Sequence, residues 1–307
     1  MPGRRLLPAP PWPYFTPEQA ALSREAWAAP PTDGSCAARG RIAIPNVVHQ
    51  PWLHGGALKW EHILGMLSVR HVLRPERYLL YYDKAPADSA TWRCACALAR
   101  CVQRAAPTRV PHRPKTRLKM YHYPDVLRLQ LLLHHGGIFV DHDAYVVRTF
   151  DDLRACAAAP VLAGFEQAGL SAAERKLNPG VLLAERNASF LRRALASWAN
   201  YSTAWDVNCC ERSYQLHAAH PGLAQVRADL GPLPRFRTAQ EYAQHLRRTR
   251  VVHATALSHR WRRKELRASG VLRGVLRVVM TAANASAATP ELRACAARTA
   301  EYVQRTF

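Results

Sequence analysis

Apolar positions along this chain switch repeatedly between two spacings. From Arg41 onward, short runs of consecutive apolar residues give way to stretches where they recur every three or four positions, the pattern of strands alternating with helices. Residues 44–52 (IPNVVHQPW) read as a first strand and 58–73 as a helix. Residues 77–83 (RYLLYYD) read as an apolar strand ending on an acid. The spacing predicts a helix over 92–104, a short strand over 108–111 and a helix over 125–135, with Pro124 where a first helical turn tolerates it. Gly136-Gly137 ends that helix by supplying left-handed backbone. Residues 138–147 then read as a strand, 161–165 and 181–184 as further strands, 189–202 as a helix and 251–252 as a last short strand. The alternation predicts an α/β domain over residues 41–265. A Pro- and Ala-rich lead-in over 1–40 precedes it, and a basic, helical C-terminal tail over 266–307 follows.

Size and composition agree with that outline. A chain of 307 residues with 49% apolar content can bury a substantial core and is globular. No stretch approaches 18 uninterrupted apolar residues, and prolines interrupt the N-terminal MPGRRLLPAPPWPYF, which reads as neither a signal peptide nor an anchor. The net charge of +21 raises the question of nucleic acid. Yet only six of the 43 basic residues are lysine, and the arginines are scattered, with one modest cluster at Arg260, Arg262, Arg263 and Lys264. There is no zinc-finger spacing and no aromatic RNA-binding signature, so nucleic acid is not an expected partner. Eight cysteines lack paired metal-site spacing and read as buried thiols or as disulfides. Three of the six asparagines (Asn187, Asn200 and Asn284) open N-x-S sequons, which favours disulfides and a secretory compartment.

The chemistry concentrates in residues 121–148, YHYPDVLRLQLLLHHGGIFVDHDAYVVR. An apolar strand that runs into Asp141-His142-Asp143 is unusual, because buried strands reject unpaired carboxylates. Alternation along a strand puts Asp141 and Asp143 on one side. Two carboxylates converging there call for a cation, and hard oxygens suit Mg²⁺ or Mn²⁺ with positions left for phosphate. On the preceding helix Asp125 and Arg128 are spaced i, i+3. They read either as a local ion pair or as groups reaching a bound sugar's hydroxyls.

The segment PDVLRLQLLLHHGGIFVDHD resembles the D-x-x-R…GG-I-(Y/F)-x-D-x-D block of the DXD sugar-binding glycosyltransferases, a group that includes fungal initiating α-1,6-mannosyltransferases and α-1,4-galactosyltransferases. IPNVVHQPWLHGG (44–56) is similar to the opening strand of that family, and His253 through Ser258 and Trp261 is a weaker match to its late H…S-x-W segment. The resemblance covers about residues 42–262 and implies a single GT-A, Rossmann-like domain with a mixed, mostly parallel sheet.

It also implies roles. Asp143 would ligate Mn²⁺ or Mg²⁺ directly, and Asp141 would contact the donor and metal-bound water. His253 would complete the metal shell or touch the diphosphate. Asp125 and Arg128 would hold the donor sugar, and Trp52 would stack on the base near His49 and Gln50. Ser258 and Trp261 would donate to the phosphates. Two departures stand out: Leu129 follows the helix arginine where the family mostly has an aromatic, and Ser258 and Trp261 are three apart rather than two. The implied activity is transfer of a hexose or N-acetylhexosamine from a UDP- or GDP-sugar to a glycan or glycolipid hydroxyl with retention, in the Golgi lumen. Peripheral membrane association is compatible with it. The alternatives are a basic polyanion-binding protein and a donor-binding member that is inactive or hydrolytic.

Overall fold

The apolar runs read from the sequence become neighbouring strands of one sheet. The computed structural model describes residues 44–155, 157, 159–165, 176–231, 248–254, 270–284 and 289–307. These lie within the unit Asp33–Phe307, and the unit Met1–Thr32 lies outside the described residues. Strand β1 (Val47–Trp52) leads to α1 (Trp60–Ser68), which a π-helical turn extends to Leu73, and then to β2 (Arg77–Tyr82). Helix α2 (Ala90–Leu98) starts at Ser89, whose Oγ accepts the Trp92 N–H at 3.1 Å, and is followed by β3 (Arg100–Gln103). A small hairpin follows, β4 (Arg109–Val110) and β5 (Arg113–Arg117), and then a 3₁₀ turn at Met120–His122 opens into α3 (Tyr123–His135). Next come β6 (Gly137–Val140), β7 (Ala144–Val146), α4 (Asp151–Ala155), β8 (Val161–Phe165) and β9 (Leu177–Ala184). Helix α5 (Ser189–Ser197), a π-helical turn at Val207–Glu211 and α6 (Arg212–Ala219) lead to β10 (Gln225–Arg227). The chain closes with β11 (Val251–His253), α7 (Val271–Asn284) and α8 (Pro290–Thr306).

Seven strands form the main sheet in the order β10-β8-β9-β6-β1-β2-β3. The pairs β1–β2, β1–β6, β2–β3 and β8–β10 are parallel, while β9 runs antiparallel to both β6 and β8. This is the α/β fold with a mixed, mostly parallel sheet. Residues alternate across it in the usual way. Ile138 and Val140 of β6 join the main core with Ile63, Leu64, Val275 and Val303, while Phe139 between them faces the guanidinium of Arg128. The C-terminal stretch supplies Val271, Leu272, Val279, Leu292 and Phe307 to the same core. Among the described residues no helix is long and apolar enough to cross a membrane.

Two differences from the sequence reading change the topology. Residues 92–104 are not one helix. Helix α2 ends at Leu98, Ala99 is extended, and Arg100–Gln103 pairs with β2 as an edge strand. Open backbone groups on β2 settle this, because apolar spacing within 92–104 carries no information about a neighbouring strand's unpaired edge. Residues 138–147 are not one strand either. Strand β6 stops at Val140, and β7 belongs to a separate two-stranded ladder with β11, so Asp141 and Asp143 sit in the turn between two sheets.

Disulfides join Cys94 to Cys295 and Cys96 to Cys101, while Cys209 and Cys210 are buried thiols. The first links α2 to α8 across 201 positions of sequence, so it removes a large share of the unfolded chain's freedom. Cys295→Ser is expected to cost about 2–5 kcal/mol, read in a calorimetric or fluorescence melt as a drop on the order of ten degrees. A melting temperature unchanged by the substitution would mean that this bridge does not constrain the chain.

Candidate active site

Helix α3 and the strand after it build the site through a sharp reversal. Gly136 closes the helix with φ 65°, and its N–H donates to the Leu132 carbonyl at 2.8 Å. Gly137 follows at φ 104°, so close to β1 that a Cβ would stand 2.4 Å from the Val47 carbonyl oxygen. His49 braces this reversal from β1. Its Nε2 lies 2.9 Å from the Gly136 carbonyl oxygen and its Nδ1 3.1 Å from the Tyr81 hydroxyl. A carbonyl only accepts, so Nε2 carries the proton and Nδ1 accepts from tyrosine. Burial pushes the His49 pKa down to about 4, against the raising effect of the Gly136 bond, so the ring is neutral. Gln50 is equally interior, donating from Nε2 to the Asp141 carbonyl at 3.3 Å and accepting from the Tyr78 hydroxyl through Oε1. Neither His49 nor Gln50 has exposed surface, so their part is to hold the frame of the site.

At the end of β6 the Asp141 N–H donates to the Gly180 carbonyl at 2.7 Å, and the chain turns through His142 and Asp143. The carboxylates converge, but not through strand alternation. The β7–β11 ladder places His253 opposite Ala144, and the Ala254 N–H donates to the Asp143 carbonyl at 2.9 Å. His253 Nε2 then lies 3.2 Å from Asp143 Oδ1 and 3.9 Å from Asp141 Oδ2. One ligand atom from each of Asp141, Asp143 and His253 falls within a 4.8 Å cluster. Two carboxylate oxygens and an imidazole nitrogen, with the carboxylates 29% and 27% exposed, fit a divalent cation that also takes ligands from solvent or substrate. His142 points the other way, its Nε2 donating to the Pro51 carbonyl at 3.1 Å.

Arg128 connects this cluster to α3. Its Nη2 lies 2.9 Å from Asp125 Oδ1 and 3.5 Å from Asp141 Oδ1. Its Nη1 donates to the Pro179 carbonyl at 2.6 Å, and its Cζ stands 4.4 Å above the Phe139 ring. The i, i+3 pair read from the sequence is therefore one side of a three-residue network. Burial pushes the Asp125 carboxyl up to about 6, with Arg128 pulling it back and Asp141 adding to the rise. Burial also raises Asp141, opposed by Arg128 and His253. For Asp143 burial is the largest effect and acts upward too, but His253, a backbone N–H and His62 together hold the carboxyl below its usual range.

Trp52 is half-buried, with ring centroids 4.9 Å from His62 and from His142, and its Nε1 donates to the Gly56 carbonyl at 2.6 Å. Ser258 and Trp261 lie outside the described residues. Two groups beside the site were not singled out for it. The Cys209 thiol lies against the Asp125 side chain, which nothing in the local pattern of residues 207–211 announces. Gly180 packs against the cluster so tightly that a Cβ would lie 2.3 Å from His253 Cε1 and 2.8 Å from Asp141 Oδ2. The tripeptide Asn178-Pro179-Gly180 carries a signal for it. It is a turn sequence inside a strand, held here by the Asn178 Oδ1 accepting the Gly180 N–H at 2.8 Å.

Gly180→Ala is expected to push His253 and Asp141 apart while leaving the core intact. Mn²⁺ affinity, titrated calorimetrically, should fall about 10–100-fold, the range for disturbed groups around a metal site. Wild-type affinity in the variant would mean that these three residues do not hold the ion together.

Residues 103–159, which include Asp125, Arg128, Asp141 and Asp143, match the model of a family described as the glycosyltransferase sugar-binding region containing a DXD motif. Glucan organizing enzyme 1 of Cryptococcus neoformans var. grubii is 27% identical over 203 residues, 61% of this chain and 53% of that protein. The chain thus spans about half the length of this curated relative. Among solved structures, the galactosyltransferase LgtC in complex with donor and acceptor sugar analogs is 13% identical, with a TM-score of 0.46 over 81% of this chain and 99% of that one. The bifunctional glycosyltransferase WbbM without ligand is 11% identical, with a TM-score of 0.48 over 84% of this chain and 52% of that one. The matched region, which carries the two acids and the Asp125–Arg128 pair, is thus similar to the DXD-containing sugar-binding region of glycosyltransferases.

Proposed function

We propose that this enzyme transfers a hexose or N-acetylhexosamine from a UDP- or GDP-sugar to a hydroxyl of a glycan or glycolipid, with retention of configuration, in a GT-A type domain. The observation that carries the reading is the convergence of Asp141, Asp143 and His253 beside the Asp125–Arg128 pair. Asp143, held ionised by its histidine neighbour, is the primary ligand, with His253 and Asp141 completing the protein's share of a Mn²⁺ or Mg²⁺ site. A divalent cation there supplies neutralisation of charge on a departing diphosphate. Arg128 and Asp125 offer a buried donor and a buried acceptor to sugar hydroxyls, and such groups reject analogues that leave them unpaired. Trp52 offers an aromatic face for the base at the end of β1, and the family resemblance would give Ser258 and Trp261 the role of donating to the phosphates.

The two disulfides among the described residues and the exposed sequon asparagines Asn187, Asn200 and Asn284 support a compartment in the secretory pathway, and the Golgi lumen fits the proposed reaction.

The reading is tested by thermal shift with UDP- and GDP-sugars, with and without Mn²⁺, on wild type and Asp143→Ala. One nucleotide is expected to stabilise the wild type by about 2–3 kcal/mol at about 100 times its Kd. The effect should require Mn²⁺ and be absent from the variant. No response to any nucleotide under any metal condition would overturn the assignment.

The raised Asp125 carboxyl predicts an acid limb in the rate. Above about 6 the carboxylate accepts a hydroxyl proton, and below it the protonated group cannot accept in the same way, so kcat/KM should fall as pH drops through that value. Asp125→Asn should lower kcat/KM and flatten this limb. An unchanged limb in the variant would assign it to another group.

A further inference from the structure

Three large hydrophobic side chains stand out on the surface of the described residues: Met120 at 58% exposure, Tyr121 at 52% and Trp205 at 59%. They come from segments some 80 positions apart, yet they share one locale. The Tyr121 hydroxyl donates to the Thr203 carbonyl, two positions before Trp205. The Lys119 N–H donates to the Tyr201 hydroxyl at 3.0 Å, and His122 Nδ1 lies 3.0 Å from that same hydroxyl. The two segments are thus tied together with their apolar side chains left outside.

The flank of this patch has a one-sided charge. From Ser89 to Pro124 the sequence holds no Asp or Glu and eight Lys or Arg. Five of these, Arg109, Arg113, Lys115, Arg117 and Lys119, are exposed on or just after the β4–β5 hairpin, and none is ion-paired with an acid among the described residues. Arg117 and Met120 are three positions apart, so their Cα atoms are at most about 11 Å from each other. The acid nearest Trp205 in sequence, Asp206, is neutralised by Lys176 at 2.5 Å.

A protein surface seldom keeps three large apolar side chains together beside five cations that no described acid pairs. The combination suits an anionic membrane surface. Tyr and Trp rings sit at the headgroup level, Met enters the acyl boundary, and lysines and arginines meet acidic headgroups. A neutral sugar acceptor would explain the rings but not the cations, and a polyanion in solution would explain the cations but not the apolar side chains. We propose that Met120, Tyr121 and Trp205, with the basic β4–β5 hairpin, form a peripheral membrane-binding surface for anionic lipid bilayers. The patch leads directly into α3, five positions before Asp125 at Met120, and Cys209 Sγ, which contacts Asp125, also donates to the Trp205 carbonyl at 3.3 Å. A membrane docked there lies next to the sugar-binding end of the site. Vesicle binding is measured without donor or metal, so the proposal stands or falls apart from the transferase reading.

The test is co-sedimentation of the full chain with phosphatidylcholine vesicles, alone or with about one phosphatidylserine in three lipids. Binding should be at least tenfold tighter to the acidic vesicles and weaken at least tenfold as salt shortens the screening length from about 10 Å to a few ångströms. Tyr121→Ala with Trp205→Ala, and separately Lys115→Ala with Arg117→Ala, should each lower binding at least tenfold with an unchanged melting temperature. Arg293→Ala with Arg298→Ala on α8, an equal loss of charge elsewhere, should leave binding intact. Equal loss in that control would mean that net charge alone binds the vesicles and would overturn the surface. No binding to acidic vesicles would overturn it too. So would a Trp205 fluorescence response to soluble oligosaccharide that is absent with vesicles, which would make the patch an acceptor platform.

Discussion

A buried guanidinium underlies the arrangement of this site. Arg128 is almost fully enclosed, a position that an unpaired cation could not hold. Asp125, Asp141, the Pro179 carbonyl and the Phe139 ring surround it, so its N–H groups meet acceptors and its plane lies against an aromatic ring. The stabilisation is reciprocal. Asp125 and Asp141 are themselves raised by burial, and Arg128 is the cation that limits the rise. Removing one member of such a network leaves the others as uncompensated buried charge, so geometry and chemistry here are tied to the same three side chains.

The frame around them is rigid for an equally specific reason. Two glycines at positive φ let the chain reverse between α3 and β6 within two residues, and neutral His49 bonds across that reversal to Gly136. Gln50 then holds the Asp141 backbone from the neighbouring strand, and Gly180 allows β9 to come close enough for its carbonyl to take the Asp141 N–H. The acids therefore leave the sheet at one defined point, where β6 ends and the second ladder begins. Their side chains are partly exposed there, unlike the buried strand residues that precede them. The basic hairpin and the turn at Met120–His122 feed into the first turn of α3, so one continuous segment connects the outer surface to Asp125 and Arg128.

Much of this was legible in the sequence, and the parts that were not share one cause. The α/β class followed from apolar spacing, because burying one face of a strand or helix imposes a period that the chain cannot hide. The Gly-Gly stop was readable because only glycine takes that backbone cheaply, and Asp141 and Asp143 were marked as functional because an apolar strand gives no reason for acids at its end. What lay beyond a local reading were the choices made by distant partners. Residues 100–103 pair with β2 instead of continuing a helix, and 138–147 divide between two ladders. The sequence argument brought the two acids together by alternation along a strand. The folded chain brings them together in a turn, with His253 arriving from 110 positions away. Spacing along a chain reports which faces are buried, but which backbone edges, carboxylates and rings meet is decided only when β11, β9 and α3 close on one another, because pairing energies depend on distance in space and not on separation in sequence.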